Sequence, residues 1–195
     1  MLNLLRSRGE LANTYIVFAT DNGVHIGQHR YLVPRGSKST PYEEAASTPL
    51  IIRGPGVPRG KVRTQLVANN DLAPTFAAWA GASPPANVDG RPLTRLLSST
   101  PAATWRTALL NERHLLQQDD APSPMHYDAL FTASDKRYVE YPDTQEQELY
   151  DLSTDRYELI NGLNPGATAP SGLVSRLQAL KTCAGSTCRT AENGP

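Results

Sequence analysis

The chain has 195 residues, of which 39% are hydrophobic and 19% charged, with a formal net charge of zero. That length suits one fair-sized domain or one and a half small ones. A neutral balance argues against general nucleic-acid binding, which needs a basic footprint, and no apolar run approaches the roughly 18 residues of a membrane span.

The opening, "MLNLLRSRGEL", is too short and too quickly charged for a signal peptide. It reads as the tail of an amphipathic helix ending near Gly9, so the chain opens mid-helix, as a fragment would. "YIVFAT" (Tyr15 to Thr20) is β-branched, aromatic and apolar without alternation, the pattern of a strand buried on both faces. A second such strand is expected around Leu50 to Ile52, stopped by Gly54 and Pro55. "VANNDLAPTFAAWAGA" predicts a helix with Asp71 as N-cap, Pro74 in the first turn and Gly81 just past its end. Helices alternating with buried strands indicate an α/β fold with a mainly parallel sheet.

Beyond the loop-rich "SSTPAAT" and "DDAPSP", the pieces "ALFTA", "KRYVEY" and "QELYDL" read as a small antiparallel meander. A last helix, about Gly172 to Lys181, carries Leu173, Val174, Leu177 and Leu180 at helical spacing. The expected division is therefore 1–112, the end of a larger α/β domain, and 113–195, a small α+β subdomain. Cys183 and Cys188 have four residues between them, which suits a local disulfide better than a zinc knuckle and leans the compartment towards the periplasm or the cell exterior.

"TDNG" falls at the carboxyl end of the first strand, where open α/β sheets bind ligands. Asp21 offers a charged oxygen and Asn22 a neutral one, a pair suited to Ca²⁺ or Mg²⁺. The same tripeptide is also a strong hairpin turn, with "YIVFAT" and "GVHIG" as its arms. His25 and His29 are each a ligand, a proton donor or a loop histidine satisfied by the backbone. Lys38 offers a compact positive charge to an anion, or is a solvated surface lysine. Glu43 and Glu44 read as a helix-start or surface pair near arginines, since adjacent residues rarely face one site. Asp119 and Asp120 read as solvated, and His114 and His126 stand in no Asp-His or His-x-x-x-His setting.

In order, "YIVFATDNGVHIGQH", "GSKSTPYEEAASTPLIIRGPGV", "LVANNDLAPTFAAWAGASPP" and "VDGRPL" resemble the sulfatase family of the alkaline-phosphatase superfamily. "ALFTASDKRYVEYPDTQEQELYDLSTDRYELINGL" is similar to that family's small C-terminal subdomain, although Arg156 and Tyr157 stand where proline is common. The resemblance runs from about Leu5 to Arg189. It implies the C-terminal part of an alkaline-phosphatase-like sheet, with hydrolysis of sulfate esters as the activity. Asp21 and Asn22 match the pair that ligates the active-site cation, usually Ca²⁺ with Mg²⁺ the alternative, and Lys38 matches the lysine that contacts sulfate. His25 falls where the glucosamine-6-sulfatase branch carries "GYHIGQ", which implies a place in the substrate pocket and a sulfated-sugar substrate.

The family's formylglycine nucleophile arises from a C/S-x-P/A-x-R motif that neither cysteine begins, and its N-terminal Asp-Asp ligands have no counterpart at the first strand. The isolated chain is therefore expected to be inactive, to depend on an N-terminal sulfatase portion, and to expose a sheet edge and an apolar face. The resemblance places the full-length member outside the cytoplasm. Two rival readings stand: a phosphatase or phosphodiesterase of the same superfamily, and a non-catalytic sulfated-glycan module using Arg30, Arg35 and Lys38.

Overall fold

The computed structural model describes residues 1–31, 38–114, 126–163 and 166–194. Arg35, Asp119 and Asp120 lie outside the described residues. Helix α1 (Leu2–Ser7) ends as expected, with Gly9 in the left-handed region (φ 74°) that a residue lacking Cβ adopts without strain. Strand β1 (Ile16–Phe18) follows, then α2 (Glu43–Ala46), β2 (Ile51–Arg53) and α3 (Leu72–Trp79). Four strands come next: β3 (Ala108–Arg113), β4 (Tyr127–Thr132), β5 (Lys136–Tyr141) and β6 (Glu146–Asp151). Helices α4 (Ser171–Lys181) and α5 (Ser186–Asn193) close the described chain.

The expected mainly parallel sheet is not what the strands form. Among the described residues β1 pairs with β2 antiparallel, Val17 opposite Ile52, and β3-β4-β5-β6 make one antiparallel meander. An unalternating apolar run signals a strand but carries no information on the direction of its partner, so the inference of parallel pairing had no local basis. Nor are these strands buried on both faces. Phe18 and Ile51, opposite one another in register, are 57% and 62% exposed, an apolar face of the kind expected.

The meander holds the main core. Strand periodicity sends Leu130 and Tyr138 to one face, where Leu177 and Leu180 of α4 cover them. Tyr127, Ala129 and Val139 pack on the other face with Phe131 and Tyr141. The meander's first strand starts at Ala108, so the sheet draws part of the first expected segment into the second. Helix α5, which the sequence did not suggest, is tied to the end of α4 by the Cys183–Cys188 disulfide.

Asp71 joins these parts. It begins α3 as expected, yet its carboxylate does not cap that helix. Oδ1 accepts from Arg106 at 2.6 Å and from the Arg91 backbone at 2.7 Å, and Oδ2 accepts from Arg106 and the Ala68 backbone at 2.9 Å each. Both side chains of this pair are fully buried. Glu192 of α5 reaches Arg91 at 2.7 Å and Arg106 at 3.2 Å, which locks the C-terminal helix to the same cluster. Gly90 is required beside it, because a Cβ there would stand 2.1 Å from the Asn70 carbonyl oxygen.

A buried ion pair that loses one member leaves an uncompensated charge. Asp71→Ala is therefore expected to lower stability by about 3–5 kcal/mol, read as a lower urea midpoint. A loss under about 1 kcal/mol, the range of surface pairs, would show that the cluster does not hold the fold together.

Candidate functional site

The Asp-Asn-Gly loop leaves β1 without turning into a hairpin. The partner of β1 is β2, and residues 24–27 are not a strand. Gly23 donates to the Ala45 carbonyl at 2.8 Å, and a Cβ on Gly23 would fall 2.0 Å from the Glu44 carbonyl oxygen. Only glycine allows the loop to press this closely on α2. The Asn22 backbone N–H donates to Asp21 Oδ1 at 2.9 Å, and the Asn22 side-chain nitrogen donates to the Gly23 carbonyl at 2.6 Å. With its nitrogen so engaged, the Asn22 amide oxygen is the atom able to ligate a cation.

The residue that fixes this loop from the other side carries no local sequence signal. Asn69 donates to the carbonyls of Thr20 at 3.0 Å and Asp21 at 3.1 Å. It belongs to the same "NND" turn whose Asp71 anchors the core. Asp21 itself is exposed and lines a cleft of about 440 Å³, together with Asn69, Glu43, Gln65 and Arg137.

His25 stands elsewhere. It has no exposed surface, and its Nε2 lies 2.6 Å from Thr40 Oγ1. Its Nδ1 is 3.9 Å from Glu44 Oε2, and His29 Nε2 is 3.7 Å from the same oxygen. The rings of His29 and Tyr42 stack at 3.9 Å. Burial pushes the His25 pKa below its ordinary value; Glu44 pulls it up and His29 pushes it further down. In this chain the ring faces protein, so it reaches a ligand only through its neighbours. Lys38 is exposed, two residues ahead of the buried Thr40. Lys38 does not line the cleft that Asp21 lines; Thr40, two residues on, touches His25, which faces Glu44 of the helix on which the loop rests.

The two glutamates diverge, as adjacent helical residues should. Glu44 faces the histidines, while Glu43 Oε2 accepts from Arg137 at 2.7 Å. Arg137 also donates to Glu158 at 2.6 Å, and Glu158 accepts the Glu43 backbone N–H at 2.7 Å. The guanidinium lies 3.9 Å over the Phe131 ring. Burial raises the Glu158 pKa to about 7, against the pull of Arg137.

Comparison with known proteins gives the same region a context. The family described as "N-sulphoglucosamine sulphohydrolase, C-terminal" matches residues 27–180. The chain is 42% identical to an extracellular sulfatase SULF-1 homolog of Drosophila melanogaster over 56% of its own length and 10% of that protein's. It is 30% identical to the N-acetylglucosamine-6-sulfatase of Bos taurus over 97% of its length. A structure solved in complex with its substrate D-glucosamine-2-N,6-O-disulfate superposes with a TM-score of 0.79 at 28% identity, over 98% of this chain. The chain spans 38% of the length of each of the latter two.

The buried neutral ring of His25 has a pH consequence. Folding lowers its pKa, so below about pH 6.5 the unfolded chain binds the extra proton more readily. The contribution is present above that pH and lost as pH falls through the folded pKa. The thermal midpoint should therefore drop on acidification below about pH 6.5, and less steeply in His25→Gln; equal slopes would show that another group titrates.

Proposed function

We propose, since the chain belongs to the sulfatase family, that it is the C-terminal portion of a sulfuric ester hydrolase and supplies part of its cation and sulfate site. The observation that carries this reading is the Asp21-Asn22 loop, held at the end of β1 by Gly23 and Asn69 on the wall of an open cleft. One carboxylate and one amide oxygen fit a hard divalent cation, Ca²⁺ before Mg²⁺. Calcium takes about 6–8 oxygen ligands, so most of its shell comes from outside this loop. Bound there, a cation supplies charge neutralisation to a sulfate-ester oxygen.

The chain's own residues then divide the work. Asp21 and Asn22 hold the cation, and Lys38 sets an ammonium against the sulfate group, where a positive charge stabilises the oxyanion that develops on hydrolysis. His25, through Thr40 and Glu44, positions the segment between the loop and the lysine at the substrate pocket. Both cysteines of the chain are joined to one another, so neither is a thiol that formylglycine formation could consume. The nucleophile belongs to a segment outside this sequence, and that segment also accounts for the exposed Phe18 and Ile51 face.

A sulfated sugar is the substrate class these relatives support, through a bovine protein named for N-acetylglucosamine-6-sulfate and a structure holding a glucosamine disulfate. The disulfide and a relative named as extracellular favour a compartment outside the cytoplasm. Among the described residues no helix is long and apolar enough to cross a membrane.

Calorimetry with Ca²⁺, in the presence and absence of inorganic sulfate, tests the reading. Weak binding that sulfate strengthens, and that Asp21→Ala abolishes, is the expected result. Binding indifferent to Asp21→Ala would remove the loop from the site. Turnover of a sulfate ester by the isolated chain would overturn the placement of the nucleophile elsewhere.

A further inference from the structure

A second cluster of ligating side chains lies away from the Asp-Asn-Gly loop, at the end of the β3–β4 hairpin where β3 leads on to β4. Glu112 and Asp128 are cross-strand partners. His114 is two residues past Glu112 and His126 two residues before Asp128, so strand alternation returns both rings to the face of the two carboxylates. The pattern E-x-H with H-x-D is visible in the sequence, yet only the pairing of β3 with β4 brings its halves together.

The contacts form one continuous chain. Asp143 Oδ1 is 3.2 Å from His126 Nδ1, and His126 Nε2 is 2.8 Å from His114 Nδ1. His114 Nε2 is 3.2 Å from Glu112 Oε2 and 3.0 Å from Asp128 Oδ1. Ionised carboxylates only accept. The first link therefore needs a proton on His126 Nδ1, the middle link needs one between the rings, and the last needs a cationic partner at His114 Nε2. Two neutral imidazoles supply two protons for three links. One positive charge is missing, and it belongs at His114 Nε2.

The geometry at His114 Nε2 offers two carboxylate oxygens to one nitrogen. The hydrogen bond of Nε2 runs to Glu112, and Asp128 Oδ1, in a side chain only 1% exposed, has no hydrogen-bond partner although it stands as close to the same nitrogen. A metal ion serves all three donors at once. Zinc bonds of about 2.0–2.2 Å to nitrogen and oxygen place tetrahedral ligands roughly 3.3 Å apart, and the two separations here are 3.0 and 3.2 Å. The charge balance agrees. The Lys181 ammonium lies 2.5 Å from Asp128 Oδ2 and 3.7 Å from Glu140, while Glu112 and Asp143 meet only the two histidines among the contacts of the described residues. His114 and Glu112 are both about half exposed, which leaves a fourth position open to water.

We infer that Glu112, His114 and Asp128 form a Zn²⁺ site, with His126 and Asp143 as the relay that fixes the His114 tautomer. Imidazole with carboxylates is a donor set suited to this borderline ion. A ligating histidine commonly gives its other N–H to an acceptor, which is the part His126 plays. The ion would tie the end of β3 to the start of β4, and the inference is independent of the sulfate-ester reading.

Titration of ZnCl₂ into the metal-free chain at neutral pH should show one saturable site. His114→Ala and Asp128→Asn should each lose it, His126→Ala should weaken it about 10–100-fold, and His29→Ala, in the separate group with Glu44 and Glu158, should leave it unchanged. In the wild type, added Zn²⁺ should shift the ring resonances of His114 and His126 and spare those of His25, a readout that needs no variant to fold. No uptake by the wild type, uptake surviving His114→Ala, or shifts confined to His25 and His29 would each overturn the site.

Discussion

The position of the Asp-Asn-Gly loop depends on one guanidinium. Arg137 projects from β5, on the meander face opposite α4, and holds Glu43 and Glu158 at the same time. Glu43 begins α2, and α2 carries both the Ala45 carbonyl that receives Gly23 and the Glu44 carboxylate that faces the histidines. The ion pairs therefore fix a small helix of four residues that has too few internal hydrogen bonds to be stable alone. Remove Arg137 and Glu158 becomes a buried carboxylate without a cation, while α2 loses its attachment to the sheet. A chain of contacts runs from the rigid meander, through one arginine, to the loop that carries Asp21.

Much of this was legible in the sequence where the signal is local. The α3 boundaries followed from Asp71, Pro74 and Gly81, and Gly81 does adopt the left-handed backbone that ends the helix. Three strands of the meander were visible as short pieces with turn residues between them, though β3 was not, and the Cys183–Cys188 pairing was visible in their spacing. What depended on distant partners was hidden. Antiparallel pairing of β1 with β2, the burial of His25 against Thr40 and the grip of Asn69 on the Thr20 and Asp21 carbonyls each join segments far apart in the chain. The division of Glu43 from Glu44 was readable as geometry, but its partners were not. Asp71 shows the limit most sharply: its sequence context indicates a helix cap, and the structure spends its carboxylate on Arg106.

The buried acids explain why Asp21 stands out. Asp71, Glu158 and Glu192 are all nearly or fully inaccessible, and each meets one or two arginines. Arginine suits that role because its planar fork satisfies a carboxylate bidentately, as Arg106 does with Asp71. Burial pushes the pKa of Glu192 upward while Arg106 and Arg91 pull it down, so these acids are structural charges balanced within the fold. Asp21 is the reverse case. It is exposed at a cleft, its backbone carbonyl is fixed by Asn69, and among the described residues its carboxylate receives just the adjacent Asn22 N–H. Among the described residues no arginine forms an ion pair with this carboxylate, so a side chain whose backbone is fixed keeps its charge for a ligand arriving from outside, as the cation site proposed above requires.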